Sequence, residues 1–199
     1  MSGLSPVNRA AARLESQTTQ LVPLAPEHLP ALRQLELSED LAFRWRHAGT
    51  HPSPEAYAAS TWNDVLCSFL VFSTQDTSSP RGLVSAYQPD HVNGHCRVAA
   101  TRLGSPRAQN PAVMRGVMML FDYLFKGWPF RKLYLEVPAY NLEQFESALT
   151  AVFTEEGRLS SYTFLDGEYW DLVFLSLSRD HWRDCRARFG RFIDGANHA

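Results

Sequence analysis

The chain has 199 residues, 45% of them hydrophobic and 20% charged, with a net charge of −2. That is the make-up of one ordinary globular domain with enough chain to bury a core, and it excludes a disordered tail, a collagen-like rod and a disulfide mini-protein. The charge balance also argues against nucleic acid as a partner, which would call for a basic excess.

Three scattered cysteines, Cys67, Cys96 and Cys185, form no CxxC pair and no zinc spacing, and read as reduced thiols of a cytoplasmic protein. No apolar run approaches the roughly 18 residues of a membrane span, and Met1–Gln20 has no apolar leader core, so no membrane or secretory role is expected. Lys126 and Lys132 are the only lysines among 19 basic residues, a skew that reads as a GC-rich bacterial genome rather than a binding patch.

Residues 1–18 are small and polar without periodicity, and are expected to form a flexible arm. Thr19–Leu24 reads as a short edge strand closed by Pro23. Pro26–Leu37 carries leucines at near-helical spacing. Ser53-Pro54-Glu55 opens a second helix, with Ser as N-cap and Pro in the first turn, reaching about Asp64. Cys67–Ser73, Gly82–Tyr87 and His95–Arg102 are strand-like and form an antiparallel meander, with Asn93-Gly94 as its hairpin signal.

Pro111–Lys126 is the clearest helix: Val113, Val117, Leu120, Phe121, Leu124 and Phe125 fall on one stripe, and Gly127 and Pro129 end it. Lys132–Val137 is the next strand. Asn141 can cap a helix running to about Phe153, Asp166-Gly167 marks a turn, Tyr169–Leu177 is an apolar strand, and Asp180–Ile193 a terminal basic helix. The helix after the meander must cross over to a strand of the same sheet, which makes a mixed α/β sheet with one βαβ unit.

This succession resembles the GNAT fold of acyl-CoA-dependent N-acetyltransferases over about 19–179. The helix with Phe121-Asp122-Tyr123-Leu124-Phe125, the strand Lys132–Val137, Asn141 and the ending Asp166-Gly167-Glu168-Tyr169-Trp170-Asp171 are similar to the ribosomal-protein N-acetyltransferase branch. The resemblance implies an α/β fold with a mixed, mostly antiparallel central sheet, a splayed parallel strand pair and flanking helices. It divides the chain into an arm at 1–18, an acyltransferase domain at 19–179, and a helix or tail at 180–199.

It also implies that acetyl-CoA, or a longer acyl-CoA, lies in the splay between His95–Arg102 and Lys132–Val137 as co-substrate, with no metal. Backbone groups at Ala100, Thr101 and Leu103 would pair with the pantetheine amides like an added strand. The following loop and helix start, with Arg107, Gln109, Asn110 and Ala112, would hold the pyrophosphate, and Asn141 would reach the arm from across the cleft. The loop departs from the family: its glycine positions fall on Gln109 and Pro111, and proline has no N–H to offer a phosphate. Gln144 stands where the family often has a small or hydroxyl residue.

The transfer needs a base for the amine and a proton donor for the thiolate. Glu136, His95, Asp90 and His91 are candidate bases. Tyr140 is the nearest tyrosine to the expected acid position, with Tyr134 and Tyr169 as alternatives. Trp128-Pro129-Phe130 and Tyr169-Trp170 read as core or as groove wall. His47 and His51 are spaced i, i+4 in a Thr/Pro loop, a weak metal pair. Two functions are therefore expected to compete. One is acyl transfer to the primary amine of a small molecule or a peptide N-terminus, the enzyme acting alone or as a homodimer. The other is a binding or scaffold domain with weakened CoA affinity, or one taking its acyl group from an acyl carrier protein.

Overall fold

The computed structural model describes residues 14–38, 41–44, 46–103, 111–142 and 152–194. The strands are β1 (Thr19–Pro23), β2 (Val65–Ser73), β3 (Gly82–Asp90), β4 (His95–Arg102), β5 (Lys132–Pro138), β6 (Thr154–Leu165) and β7 (Glu168–Ser178). They form one sheet in the order β1-β2-β3-β4-β5-β7-β6. Every neighbouring pair is antiparallel except β4–β5, which is parallel and joined by the crossover helix α3 (Pro111–Gly127). The expected α/β architecture is therefore the one observed. The remaining α-helices among the described residues are α1 (Leu29–Glu36), α2 (Pro54–Trp62), the short α4 (Ala139–Leu142) and α5 (Arg179–Asp194).

Alternation along the strands makes two cores. Phe69 and Val71, Val84 and Ala86, Cys96 and Val98 face α3 and α5. Leu70, Leu83 and Leu103 face the other way and pack with Leu29, Leu32 and Tyr57 of α1 and α2. The apolar stripe of α3 does the burying: Leu120, Phe121, Leu124 and Phe125 are all enclosed, at roughly 1.5–3 kcal/mol each. Gly116 lets the helix lie close, since a Cβ there would meet Val71 Cγ2 at 2.8 Å. Phe130 is fully buried in this core and Trp128 packs on it, so that aromatic cluster is core rather than groove wall.

Residues 14–18 and 179–194 belong to the domain more closely than expected. Residues 1–13 lie outside the described residues, but Leu14 accepts a bond from the Leu21 N–H at 2.7 Å and Ser16 is buried, so the described part of the expected 1–18 arm packs onto the domain. The helix expected at 180–193 is α5, and it is no tail: Trp182, Cys185 and Ile193 are buried in the α3 core. Trp182 Nε1 and Arg186 Nε donate to Asp122 of α3 at 3.0 and 2.8 Å.

Arg179, at the start of α5, donates to the Phe125, Trp128 and Phe130 carbonyls. These close the C-terminal end of α3 and the turn beyond it, where bare carbonyls and the helix dipole both favour a cation. Arg179→Met is expected to lower unfolding free energy by about 2–3 kcal/mol, because charge-assisted bonds to part-buried carbonyls are lost together. Urea unfolding that placed the variant within about 0.5 kcal/mol of the parent would show the three bonds to be incidental.

Two turns carry the remaining sequence signals. Asp166 and Gly167 both have positive φ (54° and 86°) and link β6 to β7 as a two-residue turn. Asn93-Gly94 does lie in a hairpin, but only Gly94 takes positive φ; the loop runs from His91 to Gly94, and Asp90 Oδ1 accepts the Asn93 N–H at 2.7 Å. The turn is therefore an aspartate-capped four-residue loop instead of a two-residue one.

Candidate functional site

β4 and β5 are paired only through His95↔Lys132, Cys96↔Leu133 and Arg97↔Tyr134. Beyond that point β4 stays registered to β3 as far as Arg102, and β5 stays registered to β7 as far as Pro138. The sheet therefore forks, and the fork opens a cavity of about 850 Å³.

The cavity has walls on both faces of the sheet. On the α3 side it is apolar, with Met114, Val117, Met118 and Phe121 of α3 facing Leu135, Val152 and Phe153. On the α1/α2 side it is polar, with Arg44 and Arg46 from the α1–α2 connection, Ser60 and Asn63 from α2 and its C-terminal end, Ser85 and Tyr87 from β3, Glu136 from β5, and Asp166 from the β6–β7 turn.

Hydrogen-bond alternation decides which backbone groups of β4 face the fork. The Leu103 N–H donates to Arg81 O at 3.0 Å, and the Leu24 N–H to Ser68 O at 2.9 Å. Carried across the antiparallel ladders, both bonds commit Ala99, Thr101 and Leu103 to β3 and leave Val98, Ala100 and Arg102 turned toward β5. Of the three expected backbone partners for pantetheine, Ala100 alone is directed into the gap. Thr101 lines the cavity but its peptide is engaged with β3, and Leu103 is buried in the α1/α2 core. Arg102, within the same stretch, presents its backbone to the gap and lines the cavity.

Arg107, Gln109 and Asn110 lie outside the described residues, as does Gln144. Ala112 is in the first turn of α3 with its side chain buried in the core. Asn141 lines the cavity, but it is the third residue of α4, which starts at Ala139, so the expected N-cap role is corrected.

Glu136 points to the polar side, and its Oε1 lies 2.8 Å from Arg97 Nε. Tyr140 packs edge-on against Trp170, with the Arg44 guanidinium 5.8 Å from its ring centroid. Burial, more than any neighbouring charge, raises the Tyr140 hydroxyl above its usual range. Tyr87, missed from sequence, is raised by burial first and by the nearby Glu136 carboxylate second. Both phenols therefore keep their protons at neutral pH.

The hairpin candidates do not reach the site. His95 stands at the closed end of the β4–β5 pair, its Nε2 3.6 Å from Asp90 Oδ2 and its ring edge-on to Tyr134. Asp90 caps the β3–β4 loop, and His91 stacks on Phe130. Tyr169 is largely exposed on the β6–β7 hairpin. Burial pushes the Cys67 and Cys96 thiols up to about 12, which leaves neither a nucleophile at neutral pH.

Beneath the polar wall sits a buried ionic cluster. Glu36, at 1% exposure, accepts from Arg46 Nη2 at 2.6 Å and Nε at 3.2 Å and from the Tyr57 hydroxyl at 2.8 Å. His47 Nε2 lies 3.8 Å from the same carboxylate, and its ring packs on Tyr57. His47 is thus part of this cluster, while His51 is exposed. No group of three or more His, Cys, Asp or Glu side chains suited to a metal occurs among the described residues.

Burial holds the His47 pKa below its ordinary 6.5, outweighing the pull of Glu36. Between 6.5 and the lower folded value the unfolded chain binds a proton that the folded chain refuses. Neutral His47 therefore contributes fully above pH 6.5, and the contribution fades as pH falls. The parent's Tm should drop more steeply from pH 6.5 to 5 than that of His47→Gln; parallel profiles would refute the assignment.

No protein-family profile matches this sequence, and no curated protein sequence matches it. Solved structures do. Spermidine N-acetyltransferase from Vibrio cholerae, determined in complex with CoA and spermine, is similar at TM-score 0.68 and 20% identity, over 83% of this chain and 98% of that one. A GNAT-family protein assigned as an acetyltransferase from Chromobacterium violaceum is similar at TM-score 0.66 and 17% identity, over 92% and 98% of the two chains. A protein from T. thermophilus assigned as an acetyltransferase is similar at TM-score 0.69 and 20% identity, over 89% and 94%. The fold is that of the GNAT acetyltransferases.

Proposed function

We propose that the chain is an N-acyltransferase that moves an acetyl or longer acyl group from acyl-CoA to a primary amine by direct attack. The observation that carries this reading is the fork between β4 and β5, which opens a cavity from an apolar wall to a polar one through the sheet. A pantetheine arm suits such a gap: it is slender, amide-bearing and able to pair with a free strand edge. The solved neighbour with bound CoA and spermine supports the same assignment of donor and amine.

In this reading Ala100 offers its backbone to the pantetheine amides, and Arg102 and Asn141 contact the donor from the two sides of the fork. Arg102, at the end of β4, supplies positive charge on the route to the phosphates, and the side chains of Arg107, Gln109 and Asn110 are the further candidates there. The amine nitrogen attacks the thioester carbon; the new C–N bond forms, the C–S bond breaks, and the sulfur leaves as thiolate. Glu136, held by Arg97 on the polar side, accepts the amine proton directly or through water. Tyr87, which lines the cavity, hydrogen-bonds the departing sulfur through a hydroxyl that stays protonated, and Tyr140, against Trp170 and outside the lining, is the second candidate.

A thermal-shift titration with acetyl-CoA and longer acyl-CoAs, paired with an assay of thiol release on adding amines, tests the reading. At about 100 times Kd the ligand should stabilise the fold by roughly 2.7 kcal/mol, a shift of several degrees at about 2–4 °C per kcal/mol. The chain length giving the largest shift names the donor. No shift at millimolar acyl-CoA would overturn the reading and favour a domain that binds another protein, an acyl carrier protein included. Pro111, which opens α3 without an N–H to give, is the feature that favours this second reading.

A further inference from the structure

The polar wall of the cavity has an unusual balance for a site that takes an amine. A cationic acceptor with several amino groups calls for carboxylates that are open to it. Among the described residues two carboxylates line this wall, and each already lies beside a guanidinium: Glu136 Oε1 is 2.8 Å from Arg97 Nε, and Asp166 Oδ2 is 3.4 Å from Arg44 Nη2. The same wall presents Arg44 and Arg46 to the cavity.

The two arginines are anchored differently. Arg46 is held two-pronged by the fully buried Glu36, with about a quarter of its side chain still accessible (27%). Arg44 rests near the Tyr140 ring and meets the solvent-exposed Asp166, whose side chain is 76% accessible. An exposed pair at that distance contributes about 0–1 kcal/mol, so a better anion displaces Asp166 at little expense. A carboxylate matches a guanidinium two-pronged, which an ammonium cannot.

We propose, resting on the acyltransferase reading above, that the acceptor is an amine carrying its own carboxylate, an amino acid or similar zwitterion. Arg44 takes the carboxylate at the rim, Arg46, fixed by Glu36, stands beside it, and the amine is left to face Glu136. Among the described residues, this pairing leaves no carboxylate of the wall without a guanidinium beside it to meet a polyamine.

The test is a panel of free amino acids, the corresponding amino-acid amides, and spermidine, assayed for thiol release with acetyl-CoA and, separately, for thermal shift without any acyl-CoA. At least one free amino acid should exceed its own amide by about 10–100-fold in kcat/KM, the worth of a hydrogen bond to a charged group at a partly exposed site. In Arg44→Gln the loss should fall on KM for the amino acid, with the acetyl-CoA shift retained as the sign of an intact site. Arg44→Glu should narrow or reverse the gap to spermidine. Amides or spermidine equalling the amino acids in the parent would overturn the proposal. So would a KM unmoved by Arg44→Gln. If acetyl-CoA gives no shift while an amino acid does, and that shift is lost in Arg44→Gln, the anion site stands and the transfer reading falls. If neither ligand class shifts the parent or is turned over, the anion site falls as well.

Discussion

Ala100→Trp is expected to abolish the acyl-CoA thermal shift while the protein still folds. Ala100 is exposed to the cavity, and its backbone is the one among the expected donor contacts that the ladder turns into the fork. An indole there fills the space between β4 and β5 that a pantetheine arm must enter. The strand itself tolerates the change, since the Ala100 side chain is not packed in either core and tryptophan suits extended backbone. The parent Tm should hold within about 2–4 °C, a change of at most roughly 1 kcal/mol. Thiol release should fall by two orders of magnitude or more, the loss expected when the donor cannot be positioned. A saturable acyl-CoA shift surviving in a folded Ala100→Trp would place the donor elsewhere and detach the fork from catalysis.

What could be read from the sequence follows how strongly local pattern and burial agree. α3 is unambiguous because its stripe is apolar and its far end is closed by Gly127 and Pro129. Ser53 is legible as an N-cap because the chemistry is local, and its Oγ does accept the Ala56 N–H at 3.2 Å. β6 is not legible as a strand: Thr154–Leu165 is polar, contains Gly157 and the Ser160-Ser161 pair, and shows no alternation. It is an edge strand with exposed residues along most of its length, two register shifts and a positive φ at Ser161, so the usual half-buried signature is absent. It is held as a strand by its hairpin partner β7 rather than by its own pattern.

The site divides in the same way. Glu136 and Asn141 are legible near the cavity from their position along a recognisable strand and its exit. His95, Asp90 and His91 are candidates by residue type alone, and the direction of β4 puts them at the closed end of the fork. Arg44 and Arg46 carry no motif, and they reach the cavity through a connection whose course depends on Gly49, at φ 81°, and on the buried cluster behind it. Tyr87 is brought there by strand pairing, because its β4 partner Arg97 is the residue that meets Glu136. Side chains gathered by tertiary contact leave no spacing rule to find them by.

Glu36→Ala is expected to be the most damaging single change to stability. The carboxylate is 1% exposed and holds a guanidinium, a phenol and a nearby imidazole from two further segments of chain. Removing it leaves the Arg46 charge without its two-pronged partner and the Tyr57 hydroxyl, itself 1% exposed as a residue, without its acceptor. Breaking a buried pair from one side costs about 3–5 kcal/mol, against a total stability of about 5–15 kcal/mol for a typical domain. At about 2–4 °C per kcal/mol the Tm should fall by roughly ten degrees. Glu36→Gln, which keeps one oxygen acceptor, should fall between the two. Replacing both ends, as in Glu36→Leu with Arg46→Met, should recover part of the loss, because the penalty comes from the stranded charge and not from missing attraction. A Glu36→Ala loss under about 1 kcal/mol would mean that Arg46 finds water or another partner at no expense. The same variant reads out function: with its anchor gone, Arg46 no longer stands fixed on the polar wall, so in any fraction that folds the KM for a carboxylate-bearing amine should rise while acyl-CoA affinity holds.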